Sequence, residues 1–186
     1  MIDNDVLERV LGAAVRTGAD FAEVYAEDKR TTAAALDDGK VEQVNSGRDR
    51  GAGIRVVKGD TTGFAHTSDL SEAGLLAAAR VAAAAASRGD GGTRTMSLQA
   101  RDARVVSPVA SYPDEVSTAD KVAVLLRLDD AARSANASIV QVSAGYADSR
   151  KRILVANTDG VLVHDEQVRT LMRVTAVANG DTGMQT

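Results

Sequence analysis

Residues 49–75 read DRGAGIRVVKGDTTGFAHTSDLSEAGL, and the rest of the chain is organised around this stretch. Two β-type runs, residues 53–57 and 61–67, flank the tripeptide Lys58-Gly59-Asp60. A glycine at this point supplies the backbone angles that a tight turn needs. The stretch therefore predicts a β-hairpin, and Gly63 in its second strand is predicted to lie where no side chain fits.

A helix is predicted directly after the hairpin, over residues 71–87. Asp69 or Ser71 is placed to cap it, and Glu72 follows Asp69 by three residues, as in a capping box. Alanine dominates this segment; it favours helix and leaves a thin surface that can pack closely on a sheet.

The remaining segments predict two more helices and several strands. Apolar spacing and a terminal glycine define a helix over residues 3–17, where Asp3 is a candidate cap. Ser117 begins a third helix that ends near residue 136, and Asp129 is the polar member of its apolar stripe. The predicted strands cover residues 21–25, 31–36, 40–45, 139–146, 152–156, 161–164 and 168–178.

Polar or charged segments separate these strands and predict turns or connections. They are residues 27–30, Asp38-Gly39, residues 46–50, Asp148-Ser149 and Asp159-Gly160. The alternation of apolar and polar residues within the strands indicates a sheet with one face on a core. These patterns predict an α+β fold, a mostly antiparallel β-sheet with about three packed α-helices.

Two parts of the chain share one order of elements, residues 3–44 and residues 117–164. This similarity predicts an internal duplication of a helix–strand–strand unit, with two subdomains at about 1–107 and 108–186. Residues 182–186 are predicted to begin a strand that pairs with residues 168–178. So short a strand would leave its partner half-paired, which predicts a fragment cut from a longer protein.

The connection between the subdomains is predicted to be irregular. Residues 88–93, RGDGGT, form a loop by composition, and its RGD triplet favours a solvated turn over an integrin motif. Residues 96–107 predict an extended connection, and Pro108 and Pro113 keep residues 109–114 non-helical.

Composition excludes several classes of protein. The 186 residues are 44% hydrophobic and 26% charged, as in an ordinary globular protein, and the net charge of −4 argues against a dedicated nucleic-acid binder. The chain has no cysteine, hence no disulfide or thiolate metal site. The acidic amino terminus lacks an apolar signal core, and no apolar run approaches the ~20 residues of a membrane span. These features predict a cytoplasmic protein.

Several short motifs carry a family resemblance. They are ADFAEV at residues 19–24, GKVE at 39–42, GAGIRVV at 51–57, GFA at 63–65, TSDL at 67–70, Lys121-Val122 and ANTDG at 156–160. Their order and spacing over nearly the whole chain resemble the amino-terminal domain of the TldD/PmbA family, which is also described as a modulator of DNA gyrase. The motif sequences resemble those of TldD more closely than those of its PmbA (TldE) partner.

The resemblance implies a zinc metallopeptidase whose metal is held by a His-Glu-x-x-x-His helix in a later, carboxy-terminal domain. This chain contains only His66 and His164, each on a predicted strand and neither followed by that motif. We therefore predict no catalytic, cofactor-binding or metal-ligating residue here. Both histidines are interpreted as surface or interface residues, and a metal ligand is the alternative.

The resemblance also implies partners and a substrate. The full-length protein would pair with a PmbA/TldE-like subunit or with itself, and would cleave unfolded or modified peptides held as an extended strand. This chain would be non-catalytic and would contribute to the substrate groove and to subunit assembly. The alternative is a binding or assembly module of a catalytically inactive PmbA/TldE-like subunit. No nucleic-acid or membrane partner is predicted.

Three other candidate sites are interpreted as structural. His66, Ser68 and Asp69 have the residue types of a hydrolytic triad, but alternate side chains of a strand stand too far apart, and the serine and aspartate are better used as helix caps. The glycines of residues 51–63 match neither a dinucleotide fingerprint nor a P-loop. The basic residues are interpreted as a solvated face; they are Arg48, Arg50, Arg55, Lys58, Arg150, Lys151 and Arg152.

Overall fold

The computed structural model of the chain describes residues 1–87, 97–102 and 108–186. Its α-helices in these ranges are α1 (Asn4–Val15), α2 (Glu72–Ala85) and α3 (Thr118–Ala135), and a short 3-10 helix covers Pro113–Glu115. Its strands are β1 (Phe21–Asp37), β2 (Lys40–Lys58), β3 (Thr61–Thr67), β4 (Gln99–Asp102), β5 (Ile139–Asn157), β6 (Val161–Gly180) and β7 (Gly183–Gln185). None of the helices in the described ranges is long and apolar enough to cross a membrane.

The strands form one sheet in the order β3-β2-β1-β5-β6-β4, and β7 also pairs with β6. The predicted hairpin is confirmed, because β2 and β3 pair antiparallel from Lys58 opposite Thr61 to Ala52 opposite Thr67. The strand predicted at the end of the chain is β7, which pairs antiparallel with the end of β6. Only β4 pairs parallel among the described pairs, and its partner is β6. The predicted α+β class, mostly antiparallel with three helices, is confirmed.

The chain divides into two compact units that are interleaved in the sequence. The first unit comprises Met1–Asp28, Asp49–Val106 and Arg152–Glu166. The second unit comprises Lys29–Arg48, Ser107–Lys151 and Gln167–Thr186. The order helix, long strand, long strand occurs twice along the chain, as α1-β1-β2 and α3-β5-β6. The predicted subdomains at about 1–107 and 108–186 stay a prediction.

Four predicted breaks between strands are wrong. Residues 27–30, 46–50, 148–149 and 165–167 lie inside the continuous strands β1, β2, β5 and β6. Each long strand passes from one unit to the other at or next to its polar segment. Polar side chains are tolerated in these segments because the segments belong to neither apolar core. The backbone nevertheless continues its pairing in the sheet there.

The core of the first unit is made by α1, α2 and the strand segments that belong to this unit. Leu7, Leu11, Ile54, Leu75 and Leu154 are among its fully buried side chains. The alanines of α2 allow a close approach of β3, as expected from their small size. A Cβ on Gly63 would overlap the carbonyl oxygen of Ala82 and lie 2.8 Å from the backbone nitrogen of Ala86. The prediction that no side chain fits at Gly63 is confirmed.

The core of the second unit is smaller and lies under α3. Its buried apolar members are Ala34 and Leu36 on β1, Leu125 on α3 and Ala144 on β5. Asp129, the polar residue in the helical stripe, is buried among them and accepts a hydrogen bond from Arg133 Nε at 3.1 Å.

The helix starts follow the predicted serines. Ser117 Oγ accepts a hydrogen bond from Asp120 N at 3.1 Å, and Ser71 Oγ accepts one from Gly74 N at 3.2 Å. The predicted capping box of Asp69 and Glu72 is wrong, because Glu72 forms an ion pair with Arg9 of α1 instead. Asp3 occupies the N-cap position of α1 but forms no side-chain cap hydrogen bond.

Two predictions about the connection fall wholly or partly outside the described residues. The loop at 88–93 with its RGD triplet lies outside them, as do residue 96 and residues 103–107 of the predicted extended connection. The described part of that connection contains β4, which is extended as predicted. Pro113 begins the 3-10 helix, a short helical turn where the sequence predicted none.

Candidate functional site

Both histidines lie on strands, as predicted, and both are exposed. The structure places both of them in the first unit. His66 is opposite Gly53 in the β2–β3 pairing, and its ring centroid is 6.3 Å from that of Phe64. His164 is opposite Asp102 in the β4–β6 pairing. Among the residues that the structure describes, no group of three or more His, Cys, Asp or Glu side chains is placed to hold a metal ion. The surroundings of these histidines thus do not fit a zinc centre.

The serine and aspartate that follow His66 lie in the turn that leads into α2. Asp69 N donates to Thr67 Oγ1 at 3.0 Å, and Asp69 Oδ1 accepts from Ser71 N at 2.9 Å. The hydrogen bond from the Ser71 backbone lowers the pKa of Asp69, so this carboxylate is occupied as an acceptor. Asp69 therefore shapes the turn, and Ser71 is the helix cap.

The glycines of the hairpin serve the hairpin itself. A Cβ on Gly51 would lie 2.9 Å from the carbonyl oxygen of Thr67, so the two strands approach too closely there for a larger residue. Gly59 has a φ of +54° at the turn, and its backbone nitrogen donates to Asp20 Oδ2 at 2.7 Å. These contacts explain both positions without a bound phosphate.

Three of the basic residues near the polar segments form ion pairs within their own units. In the first unit Arg55 pairs with Glu23 at 2.8 Å, and Arg152 pairs with Asp28 at 2.7 Å. In the second unit Arg150 pairs with Asp114 at 3.1 Å. Their charges are largely balanced locally, which agrees with the interpretation of a solvated face.

A buried ion pair lies in the second unit, and the sequence analysis missed it. Lys121 Nζ of α3 lies 2.7 Å from Asp148 Oδ2 of β5 and donates to Thr32 Oγ1 at 3.1 Å. The side chains of Lys121 and Asp148 are only 4% and 3% exposed. Asp148-Ser149 was interpreted as a turn because a charged residue interrupts the β pattern. The lysine had appeared only as part of a family motif.

Tyr146 extends this buried polar cluster. Lys121 Nζ lies 5.9 Å from the centre of its ring. Burial first, then the hydrogen bond and charge of Asp148, raise the pKa of Tyr146 to about 12, although a hydrogen bond with Thr170 of β6 acts in the opposite direction. The contacts of Lys121 fix α3 on β1 and β5, and the burial of Lys121 and Asp148 removes their charges from contact with a ligand.

The exposed feature of the second unit is a pair of strand edges. The strand β3 pairs only with residues 52–58 of β2. The part of β2 in the second unit, residues 40–48, therefore has β1 as its one neighbour among the described strands. On β6, β4 pairs with residues 161–164 and β7 with residues 178–180. Residues 167–177 therefore have β5 as their one neighbour within the described part of the chain. Such edges present unpaired backbone groups that accept another strand.

Comparisons with known proteins identify related sequences. The model of PmbA/TldA metallopeptidase domain 1 matches residues 22–86, and the model of the PmbA/TldA metallopeptidase central domain matches residues 111–186. A metalloprotease of Methanothermobacter thermautotrophicus is 28% identical over 187 residues, which cover 99% of this chain and 39% of the relative. A metalloprotease TldD homolog of Haemophilus influenzae is 31% identical over 160 residues, 83% of this chain and 32% of the relative.

A solved structure shows the same fold. TldE from Thermococcus kodakarensis matches with a TM-score of 0.74 at 17% sequence identity, over 97% of this chain and 41% of that one. At this identity the similarity demonstrates the fold alone. The chain spans about two fifths of the length of this structure and of the Methanothermobacter relative.

Proposed function

Because the chain belongs to the TldD/PmbA metallopeptidase family, we propose that it is the amino-terminal, non-catalytic domain of a TldD-like zinc metallopeptidase. The main support for the proposal is that the models of the first and the central domain of the family match consecutive parts of the chain. In addition, a relative named as a metalloprotease is more than twice as long as this chain. The peptidase activity is assigned to the longer protein.

The possible metal ligands in this chain support a zinc site in another domain of the longer protein. His66 and His164 are exposed on separate strands, and their surroundings do not fit a metal centre. The zinc is therefore proposed to lie in a carboxy-terminal domain with a His-Glu-x-x-x-His helix, whose histidines would supply imidazole ligands and whose glutamate would activate the bound water. No catalytic step is assigned to residues of this chain.

The proposed contribution of this chain is to the substrate groove and to subunit assembly. Unfolded or modified peptides are extended, and an extended peptide binds a sheet edge through its main-chain groups. The edge of β2 at residues 40–48 in the second unit supports such a role. The longer protein is proposed to act in the cytoplasm, paired with a PmbA/TldE-like subunit or with a second copy.

A second candidate function is a binding or assembly module of a catalytically inactive PmbA/TldE-like subunit. The fold shared with TldE is compatible with this candidate, and the 31% sequence identity to a TldD homolog favours the first proposal. The sequence after Thr186 in the longer protein discriminates between them. A His-Glu-x-x-x-His motif supports the peptidase, and its absence supports the assembly module.

Zinc content and peptidase activity of the 186-residue chain and of the longer protein test the proposal. We expect zinc and cleavage of an unfolded peptide in the longer protein and neither in the 186-residue chain. Stoichiometric zinc in the shorter chain that disappears in a His66→Ala or His164→Ala variant would refute the non-catalytic assignment. A separate assay of DNA binding at low salt checks for nucleic acid, and we expect none.

A further inference from the structure

The side of α3 that is buried against the sheet is largely charged. The helix buries three side chains, Lys121, Leu125 and Asp129, and of these only the leucine is apolar. Successive residues of an α-helix are rotated by about 100°, so positions four apart form one row along the helix. Leu126, by contrast, is 42% exposed although it is apolar. Apolar burial therefore does not explain why this row faces the sheet.

The apolar side chains of α3 are too widely spread to select one rotation of the helix about its axis. Val124 and Leu126 lie about 100° to either side of Leu125. The buried strand side chains of the same core are Ala34, Leu36 and Ala144. Side chains as small as alanine form shallow ridges, which hold a helix weakly in one rotation. Turning α3 towards Val124 or Leu126 would bury an apolar flank in place of a charged residue.

The contacts of Lys121, in contrast, are specific to one rotation. Its Nζ atom lies 2.7 Å from Asp148 Oδ2 on β5 and donates to Thr32 Oγ1 on β1 at 3.1 Å. A turn of the helix in either direction would withdraw the ammonium group from both strands. The Asp148 carboxylate would then be buried without its cation, which is strongly destabilising. The ion pair is therefore compatible with a single rotation of α3.

We propose that the buried pair of Lys121 and Asp148 aligns α3: it fixes the rotation of the helix on the sheet and so decides which side chains the helix exposes. Replacing a buried ion pair by apolar residues is often neutral for stability, so stability alone does not account for these charges. Asp129 supports the proposal, because its Oδ1 atom is buried and accepts no hydrogen bond from any residue that the structure describes. Burying such a group is costly, so burial energy did not select this row. This role of the pair does not depend on peptidase activity in the longer protein.

The first experiment counts the arrangements of α3 by amide NMR spectroscopy of the 186-residue chain. The parent chain should give one set of resonances. In Lys121→Met/Asp148→Leu we expect two or more sets, or broadened signals, for α3 and for the segments of β1 and β5 in the second unit, while the first unit keeps one set. Lys121→Met/Asp148→Asn changes the shape of the side chains less and serves if the first variant does not fold.

The matched control removes an exposed ion pair from a helix of the first unit. Arg9 of α1 pairs with Glu72 of α2, and their side chains are 52% and 42% exposed. The buried side chains of α1 are all apolar, so they fix the rotation of that helix without the pair. Arg9→Met/Glu72→Leu should therefore keep one set of resonances throughout the chain.

The second experiment measures the rotation by thiol labelling, because the chain has no cysteine of its own. Single cysteines in place of Val124 and Leu126 report the two flanks of α3. With the ion pair present, Leu126→Cys should react faster than Val124→Cys, since Leu126 is exposed and Val124 is half-buried. Without the pair both flanks are buried for part of the time, so the two rates should agree to within about twofold.

A rescue experiment separates a change of rotation from a general loss of order. Val124→Lys and Leu126→Glu make both flanks of α3 unfavourable to bury. Adding these two changes to Lys121→Met/Asp148→Leu should restore one set of resonances, because only the original row can then face the sheet. A helix that is merely loosened gains no order from two charges on its flanks.

Three results would overturn the inference. The first is one set of resonances, with unchanged labelling rates, in Lys121→Met/Asp148→Leu, since packing alone would then align α3. The second is a new set of second-unit resonances in the control Arg9→Met/Glu72→Leu. The third is a second set of resonances that persists after Val124→Lys and Leu126→Glu are added.

Discussion

The two units of the chain are stabilised in different ways. Among the described residues, the apolar core of the first unit contains 21 buried hydrophobic residues and that of the second contains four, so apolar burial dominates only in the first. The second unit adds a buried ion pair between Lys121 and Asp148. The first unit therefore depends on close apolar packing, and the second depends in addition on a charge that stays paired.

The largest expected effect comes from breaking the buried ion pair of the second unit. Lys121→Met leaves the Asp148 carboxylate buried without its cation, which should cost about 3–5 kcal/mol of unfolding free energy. Chemical denaturation measures this loss. The double variant Lys121→Met/Asp148→Leu removes both charges and should recover most of the stability. If the double variant is no more stable than the single one, shape and not charge governs this core.

The next effect tests the close packing of the first unit. Gly63→Val places a side chain against the backbone of α2 at Ala82 and Ala86, which should cost about 3 kcal/mol. The melting temperature should fall by roughly 6–12 °C. Gly12→Ala is the matched control, since a Cβ there meets open space on an exposed face of α1 and should stabilise by about 0.5–1 kcal/mol. An unchanged melting temperature for Gly63→Val would contradict the close approach of β3 to α2.

The smallest effect appears only at high pH. The native state keeps the Tyr146 phenol protonated up to about pH 12, whereas the unfolded chain ionises it near the ordinary value of 10.0. This contribution to stability is therefore fully present below pH 10 and is lost as the pH rises towards 12. Ultraviolet titration should show one of the three tyrosines ionising late, and Tyr146→Phe should remove that step. If the step persists in that variant, the buried phenol is assigned wrongly.

These tests also sharpen the comparison of the two units. Lys121→Met and Gly63→Val change two different cores, each within its own unit. Their losses of unfolding free energy should therefore add within about 0.5 kcal/mol. A marked departure from additivity would show that the two units depend on each other for stability.

Local signals predicted the elements well where the whole of an element faces one environment. The hairpin of β2 and β3, the cap at Ser117 and the steric need for Gly63 followed from turn chemistry and side-chain size. The long strands were predicted in pieces, because each serves two cores and becomes polar between them. A sequence pattern cannot distinguish such a strand from two strands with a turn, since both interrupt the apolar alternation.

The candidate site was harder to predict than the fold. The absence of a His-Glu-x-x-x-His motif was visible in the sequence, and the family resemblance was confirmed by the two family models. Lys121 and Asp148 are 27 positions apart, however, and nothing local indicates that they pair.

The sequence by itself determined the α+β class, the helices, the tight turns and the family, because propensity, periodicity and motif spacing act over short distances along the chain. The tertiary structure decided which polar residues are buried and paired and which strand edges stay open. Those properties depend on residues that are distant in the sequence and become neighbours only in the folded sheet. The desolvation of Lys121 is therefore a consequence of topology.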